Sequence, residues 1–279
     1  MTYSGTATIA LIKDTFRESF ARKIFWGLFG LSTAMILFFL FLLRIDLVEG
    51  GLAAVKMFGR TLSRATDVDV LVRGFYGAIA AFLYTWGMAL AVFASAGLIP
   101  SVLEPGRIEL LLSKPVSRTH ILLGRYVGNV LVVSCNIVYL VLGVWIIFGN
   151  KTGIWAPRFL AAIATTVFTF SILLTVVVIL GVLVESTALS TMVTLGLMIM
   201  SPILAQTALA DRLLSSETSR DIWRGLYYVF PKIYDIGSLT LNTVRDAGAP
   251  IQWMPLWSSA LFGAAMLGGA LAIFSRRDF

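Results

Sequence analysis

Apolar residues along this chain come in long unbroken runs, not in the alternation of a half-buried sheet. Six runs carry no charged residue: 24–43, 75–103, 126–149, 159–184, 186–210 and 254–275. Each reaches the roughly 20 helical residues needed to cross a bilayer core of about 30 Å. Only Glu185 parts the fourth from the fifth. Together these two are too long for one crossing, so they read as a tight helical hairpin with Glu185 in its turn. The ten-residue alternation of an outer-membrane barrel is absent, and helices satisfy their own backbone polar groups in lipid. The pattern predicts an all-α polytopic membrane protein, a single transmembrane domain over 1–279. Its spans are placed at about 24–43, 75–99, 122–149, 159–184, 187–207 and 255–275.

The segments between the runs carry weaker signals. In 1–23, Ile9, Ile12, Phe16 and Phe20 recur at helical spacing, with Lys13, Asp14, Arg17, Glu18 and Arg22 on the other side. This reads as an amphipathic helix lying in the membrane interface; an ordinary cytosolic lead-in is the plainer alternative. Residues 44–74 mix charge without recognisable chemistry, and "GNKTGIWAPR" at 149–158 is a short turn with an interfacial Trp155. The outer loop 208–253 is rich in Trp and Tyr, which favour the headgroup level. It predicts short helices on the outer face with a break at Pro231.

Composition agrees. The chain of 279 residues is 58% hydrophobic and 13% charged, against about 25% charged in soluble domains. The net charge of +7 comes from basic residues that flank spans, which fits anionic lipid headgroups and not nucleic acid. An even number of spans puts both termini on one side. The density of Lys and Arg at span ends makes that side the cytosol. The first apolar run lacks a small-x-small cleavage site before Arg44, so it reads as a retained span. The single cysteine, Cys135, leaves no intrachain disulfide or cysteine-rich metal site.

Familiar chemistry is missing. There is one histidine, His120, and no HExxH, Gly-x-Ser-x-Gly or GxxxxGK[ST] pattern. The glycines of "GRYVGN" at 124–129 open a span and carry no phosphate-loop reading. The six apolar runs hold no charged residue and only Glu185 interrupts the fourth and fifth, so no ion relay is evident. Work done by such a chain draws its free energy from a partner. Thr165, Thr166, Thr169, Ser190, Thr191 and Thr194 either line a path or join helices.

One stretch breaks the apolar monotony: "LEPGRIELLLSKPVSRTHILLGRYVG", residues 103–128. Glu104-Pro105-Gly106 is a turn-like entry, since proline is tolerated early in a helix. Ile108, Leu111 and Leu112 share one helical face, and Pro115 ends the helix. The result is a stiff helix of about two turns held across the membrane face, suited to receiving a push from a soluble partner. A loop that only fixes topology would need Lys114, Arg118 and Arg125, but not Glu104 and Glu109.

This stretch resembles the signature region of ABC type-2 transporter permeases, especially the NosY-like branch. The ending "FSRRDF" at 274–279 is similar to the arginine-rich ending of that branch. The resemblance implies six spans, an N-terminal interfacial helix and a cytosolic coupling helix between spans two and three, over 104–118. It implies a homodimer, or a pair with a similar permease, served by separate ABC ATP-binding subunits. ATP and Mg are then held by the partner, this chain has no cofactor or catalytic residue, and it is not an enzyme. Carried over, the docking residues are Glu104, Gly106, Arg107, Glu109, Lys114, Pro115, Ser117 and Arg118. The expectation is export of an unidentified substrate across a prokaryotic inner or plasma membrane; neither substrate nor direction is implied by the residues themselves. The alternative is a membrane anchor or scaffold that recruits a soluble factor through 104–118 and moves nothing. An intramembrane enzyme lacks candidate groups. Changing Glu104 to Ala, or Arg107 to Glu, is expected to uncouple ATP hydrolysis from transport or weaken assembly with the membrane fold intact; normal transport by both variants would remove the coupling assignment.

Overall fold

The computed structural model describes residues 2–21, 23–48, 52–57, 60–61, 66–97, 117–214, 216–246 and 250–277. Eleven α-helices are seen among them: α1 (Thr2–Ala21), α2 (Lys23–Leu37), α3 (Val68–Phe82), α4 (Met88–Ala96), α5 (Arg118–Thr152), α6 (Ala161–Val184), α7 (Thr187–Leu204), α8 (Thr207–Leu213), α9 (Glu217–Val229), α10 (Ile233–Arg245) and α11 (Trp253–Arg276). Six helical segments are long and apolar enough to cross a membrane: Lys23–Phe41, Val68–Ala96, Arg118–Thr152, Pro157–Val184, Thr187–Leu204 and Trp253–Arg276. The second span is α3 and α4 joined by a π-helical turn, Leu83–Gly87. These helices form the all-α membrane domain.

Helix ends follow local chemistry. Ser117 caps α5, its hydroxyl accepting from the His120 backbone N–H. Gly153 closes the same helix in the left-handed region, φ 74°, where glycine has no Cβ to clash. With 35 residues, α5 is roughly 52 Å long at 1.5 Å per residue and overshoots a bilayer core. Glu185, φ 56°, ends α6, and Ser186 caps α7. The hairpin turn therefore sits at Glu185, near the end of the molecule where α4 finishes and α5 begins. We call this end the base.

At the far end, the segment that showed no chemistry in the sequence adds a small sheet. β1 (Leu43–Val48) pairs antiparallel with β2 (Leu52–Met57), register Leu43 to Met57 through Val48 to Leu52. The short β3 (Arg60–Thr61) and β4 (Thr66–Asp67) also pair with β2. Gly50 and Gly51 between two apolar runs were the available hairpin signal.

The core lies where α3, α4, α5 and α6 meet. Tyr76, Phe148 and Phe159 are fully buried there, and the Tyr76 and Phe159 rings stack at 4.4 Å. Tyr84 and Thr169 hydroxyls hydrogen-bond at 2.7 Å. Ser190, Thr191 and Thr194 are buried, each donating to the carbonyl four residues before it. They pack helices together and do not line an open path within the chain.

The outer loop departs from expectation. It forms helices and breaks at Pro231, but α10 does not lie on the surface. Ile233, Ile236, Thr240 and Val244 are buried, a stripe at helical spacing that inserts among α3, α6 and α7. Ser201 near the end of α7 donates to the Pro231 carbonyl at 3.4 Å and accepts from the Tyr234 N–H at 3.0 Å. Ser259 of α11 accepts from the Lys232 N–H at 2.9 Å. The α9–α10 tip thus sits roughly 5–9 Å inside the far ends of α7 and α11, at 1.5 Å per residue. Gly237 makes the insertion possible, because a Cβ there would meet the Tyr84 ring at 2.7 Å. Gly237→Val should force the ring out, at a cost of about 1–3 kcal/mol. A lowered thermal midpoint in detergent is the expected readout, and an unchanged midpoint would remove α10 from the core.

Candidate functional site

The base gathers close helix contacts and buried charge. α1 runs beside α5 in the same direction, with residues four apart on each helix meeting. A Cβ on Gly124 would lie 2.8 Å from Leu11 Cβ, and one on Gly128 would lie 2.7 Å from Thr15 Cβ. Gly124 and Gly128 thus form a small-xxx-small seat of the kind that lets helix backbones approach closely. The sequence reading set these glycines aside; their spacing of four was the signal.

Between the two glycines Arg125 projects toward α1. It is 1% exposed, and its guanidinium donates to Asp14 Oδ2 and Glu18 Oε2, both at 2.6 Å. Charge-assisted pairs of this kind are the stronger hydrogen bonds. Burying the cation is tolerable because both carboxylates meet it. Arg125 is therefore more than a topology charge. The buried stripe of α1 is Leu11, Thr15 and Ser19, not the predicted apolar face. Ile12 and Phe16 are half-buried and Phe20 is exposed. Phe20 joins Phe25 and Trp26 in an aromatic cluster at the start of α2.

A second tie closes the base. Arg277, past the end of α11, donates to the Val182 carbonyl at 2.5 Å and pairs with the Glu185 carboxylate. Arg118 donates to the Arg277 carbonyl. One C-terminal residue thus links the last turn of α6, the α6–α7 turn and the start of α5. Nothing in the local pattern of the "FSRRDF" ending points to a partner 92 positions away.

Of the eight docking residues inferred from the sequence, Ser117 and Arg118 stand at the base, at the start of α5. Glu104, Gly106, Arg107, Glu109, Lys114 and Pro115 lie outside the described residues, as does the proposed coupling helix. Gly97 of the second span and Ser117, the described residues on either side of 98–116, both lie at the base. His120 contacts the Ser117 hydroxyl and takes part in the cap.

At the far end, Lys232 is a buried cation without a carboxylate in ion-pair distance among the described residues. Its Nζ donates to Ser258 Oγ at 2.9 Å and faces the Tyr227 ring at 4.7 Å. Burial pushes its ammonium below the ordinary lysine range, with Asp235 opposing the shift. Tyr227 donates to Asp235 Oδ2 at 2.8 Å; burial first, then this bond, push its phenol above the usual range.

The fold is that of a polytopic helical membrane protein with six candidate spans. A family model described as ABC-2 family transporter protein matches residues 9–278, and the chain belongs to that family. Its members are membrane components of ABC transporters, which partner an ABC ATP-binding subunit and are not themselves catalytic. No curated protein matches the chain significantly.

Arg125→Met should free α1 at a cost of about 3 kcal/mol, the low end for breaking a buried pair, because Asp14 is half exposed. Faster proteolytic release of the N-terminal segment is the expected result. Adding Asp14→Asn and Glu18→Gln should restore most of the protection, since the neutralised site leaves no unpaired charge. Equal release rates from all three proteins would mean that the ion pairs do not hold α1.

Proposed function

We propose that this chain is the permease of an ATP-driven exporter. It works as a homodimer in a prokaryotic inner or plasma membrane, with a separate ATP-binding subunit, which holds ATP and Mg, docked on the base. The observation that carries this reading is the convergence at the base. α1, fixed to α5 by the Arg125 pairs, stands beside the two helix ends that flank 98–116, and Arg277 ties the start of α5 to the α6–α7 turn. A push delivered between Gly97 and Ser117 has stiff routes into the second, third, fourth and fifth spans.

The docking residues are Glu104, Gly106, Arg107, Glu109, Lys114, Pro115, Ser117 and Arg118, and the NosY-like branch rests on the motif at 104–128. Cytosolic termini follow from the basic side chains near this end, Lys13, Arg17, Arg118, Arg276 and Arg277, by the positive-inside rule. The homodimer is supported by an apolar groove of about 590 Å³ between the second and fifth spans, lined by Tyr84, Trp86, Phe93, Ile199, Pro202 and Tyr234. Trp86 and Ile199 are each 67% exposed. A second copy meeting this face would enclose a route for substrate, which a scaffold has no need of; the rest of the apolar belt meets lipid.

The experiment is co-purification of the solubilised chain from its native membrane. The unaltered chain should bring an ATP-binding protein in near-equal amount. Arg125→Met, by releasing α1, should reduce that amount while the chain still inserts. A clean chain without an ATP-binding partner would favour the scaffold reading.

A further inference from the structure

Along one side of α5 the buried residues Arg125, Asn129 and Asn136 form a polar seam inside the membrane domain. Each asparagine has one partner across a helix boundary. Ser95 of α4 donates to Asn129 Oδ1 at 3.1 Å, and Ser32 of α2 donates to Asn136 Oδ1 at 3.0 Å. The amide nitrogens of both asparagines, with Ser19 Oγ, Thr166 Oγ1 and Arg125 Nε, are buried without a protein partner. Hydrocarbon offers such groups nothing, so buried polar atoms of this kind find protein or water.

Two small cavities border four of these five atoms. The first, about 30 Å³, touches Ser32, Asn136 and Thr166 among apolar side chains that include Met88. The second, about 20 Å³, touches Ser19, Ser95, Asn129 and Asn136. An ordered water needs a cavity of roughly 10–15 Å³ by this measure and two to four polar partners. Both cavities meet that size, with three and four polar side chains respectively.

We infer that each cavity is a binding site for one ordered water. Water suits the chemistry because it accepts from the amide N–H groups of Asn129 and Asn136 and donates to the Ser19 and Thr166 hydroxyls. Asn136 borders both cavities and links the two sites. The first, second, third and fourth spans and α1 then share one hydrogen-bonded seam that starts beside the Arg125 pairs. A bridging water re-forms its bonds after a small displacement of either helix, so the seam holds the helices together without locking them.

X-ray radiolysis of the full chain in a lipid nanodisc tests this, because bound water turns into hydroxyl radicals that mark adjacent side chains. Met88 is the reporter: it borders the first cavity and is 1% exposed. The inference predicts that Met88 is oxidised far faster than its burial allows, and that Asn136→Leu, which fills the site, lowers that rate severalfold. Met88 oxidation at background in the unaltered chain would overturn the first site, whether or not the variant folds. For the second site, a map of the chain that resolves ordered water should place a density peak between Asn129 and Ser19. An empty cavity there, or a peak that takes up bromide and is therefore a halide, would overturn it.

Discussion

A buried arginine governs the base of this molecule. Arg125 lies on the third span, where apolar surroundings would make an unpaired guanidinium intolerable, and two carboxylates of α1 reach it. The pairing needs close approach, and Gly124 and Gly128 on either side of Arg125 provide it. Glycine, cation and carboxylate positions thus act as one device: a larger residue at either glycine makes the helix pair give way slightly, and without the carboxylates the cation is orphaned. The rest of the base is built outward from that contact. α1 stands against the bundle, and the start of α5 is fixed beside Arg277 and the α6–α7 turn.

The far end uses the same logic with different groups. Lys232 takes its cation below the ends of the spans, where Ser258 and the Tyr227 ring replace water. The α9–α10 hairpin is fastened there by the serines of α7 and α11. Its second helix fills the space beside Tyr84, so the fourth span, the second span and the hairpin move as neighbours. Packed helices thus connect the base with the α9–α10 hairpin.

Much of the plan was legible in the sequence. Six apolar runs gave the spans, Glu185 gave the hairpin turn, and the stretch at 104–128 led to the family. Those features are local, and local hydropathy and turn chemistry suffice to read them. The features that were missed depend on partners far away in the chain. Gly124 and Gly128 looked like ordinary span glycines because α1 lies over a hundred positions earlier. The face of α1 that packs on α5 was missed, since a glycine seat and an ion pair fix it and not the apolar stripe of Ile12, Phe16 and Phe20. Ile233, Ile236, Thr240 and Val244 had helical spacing, but their insertion among the spans follows from Gly237 and Tyr84 together. Arg277 could not be matched with Glu185 and Arg118 without the fold.

The central claim is that α1 stands along α5, fixed at Gly124–Arg125–Gly128. Cysteines in place of Thr15 and Gly128, with Cys135 changed to serine, test it most directly. The Cβ positions are 2.7 Å apart, and a relaxation of about 1 Å brings them to disulfide spacing. The account predicts rapid, near-complete cross-linking in native membranes under mild oxidation, and slower cross-linking when Arg125→Met is added. Free thiols at both positions under the same conditions would contradict it.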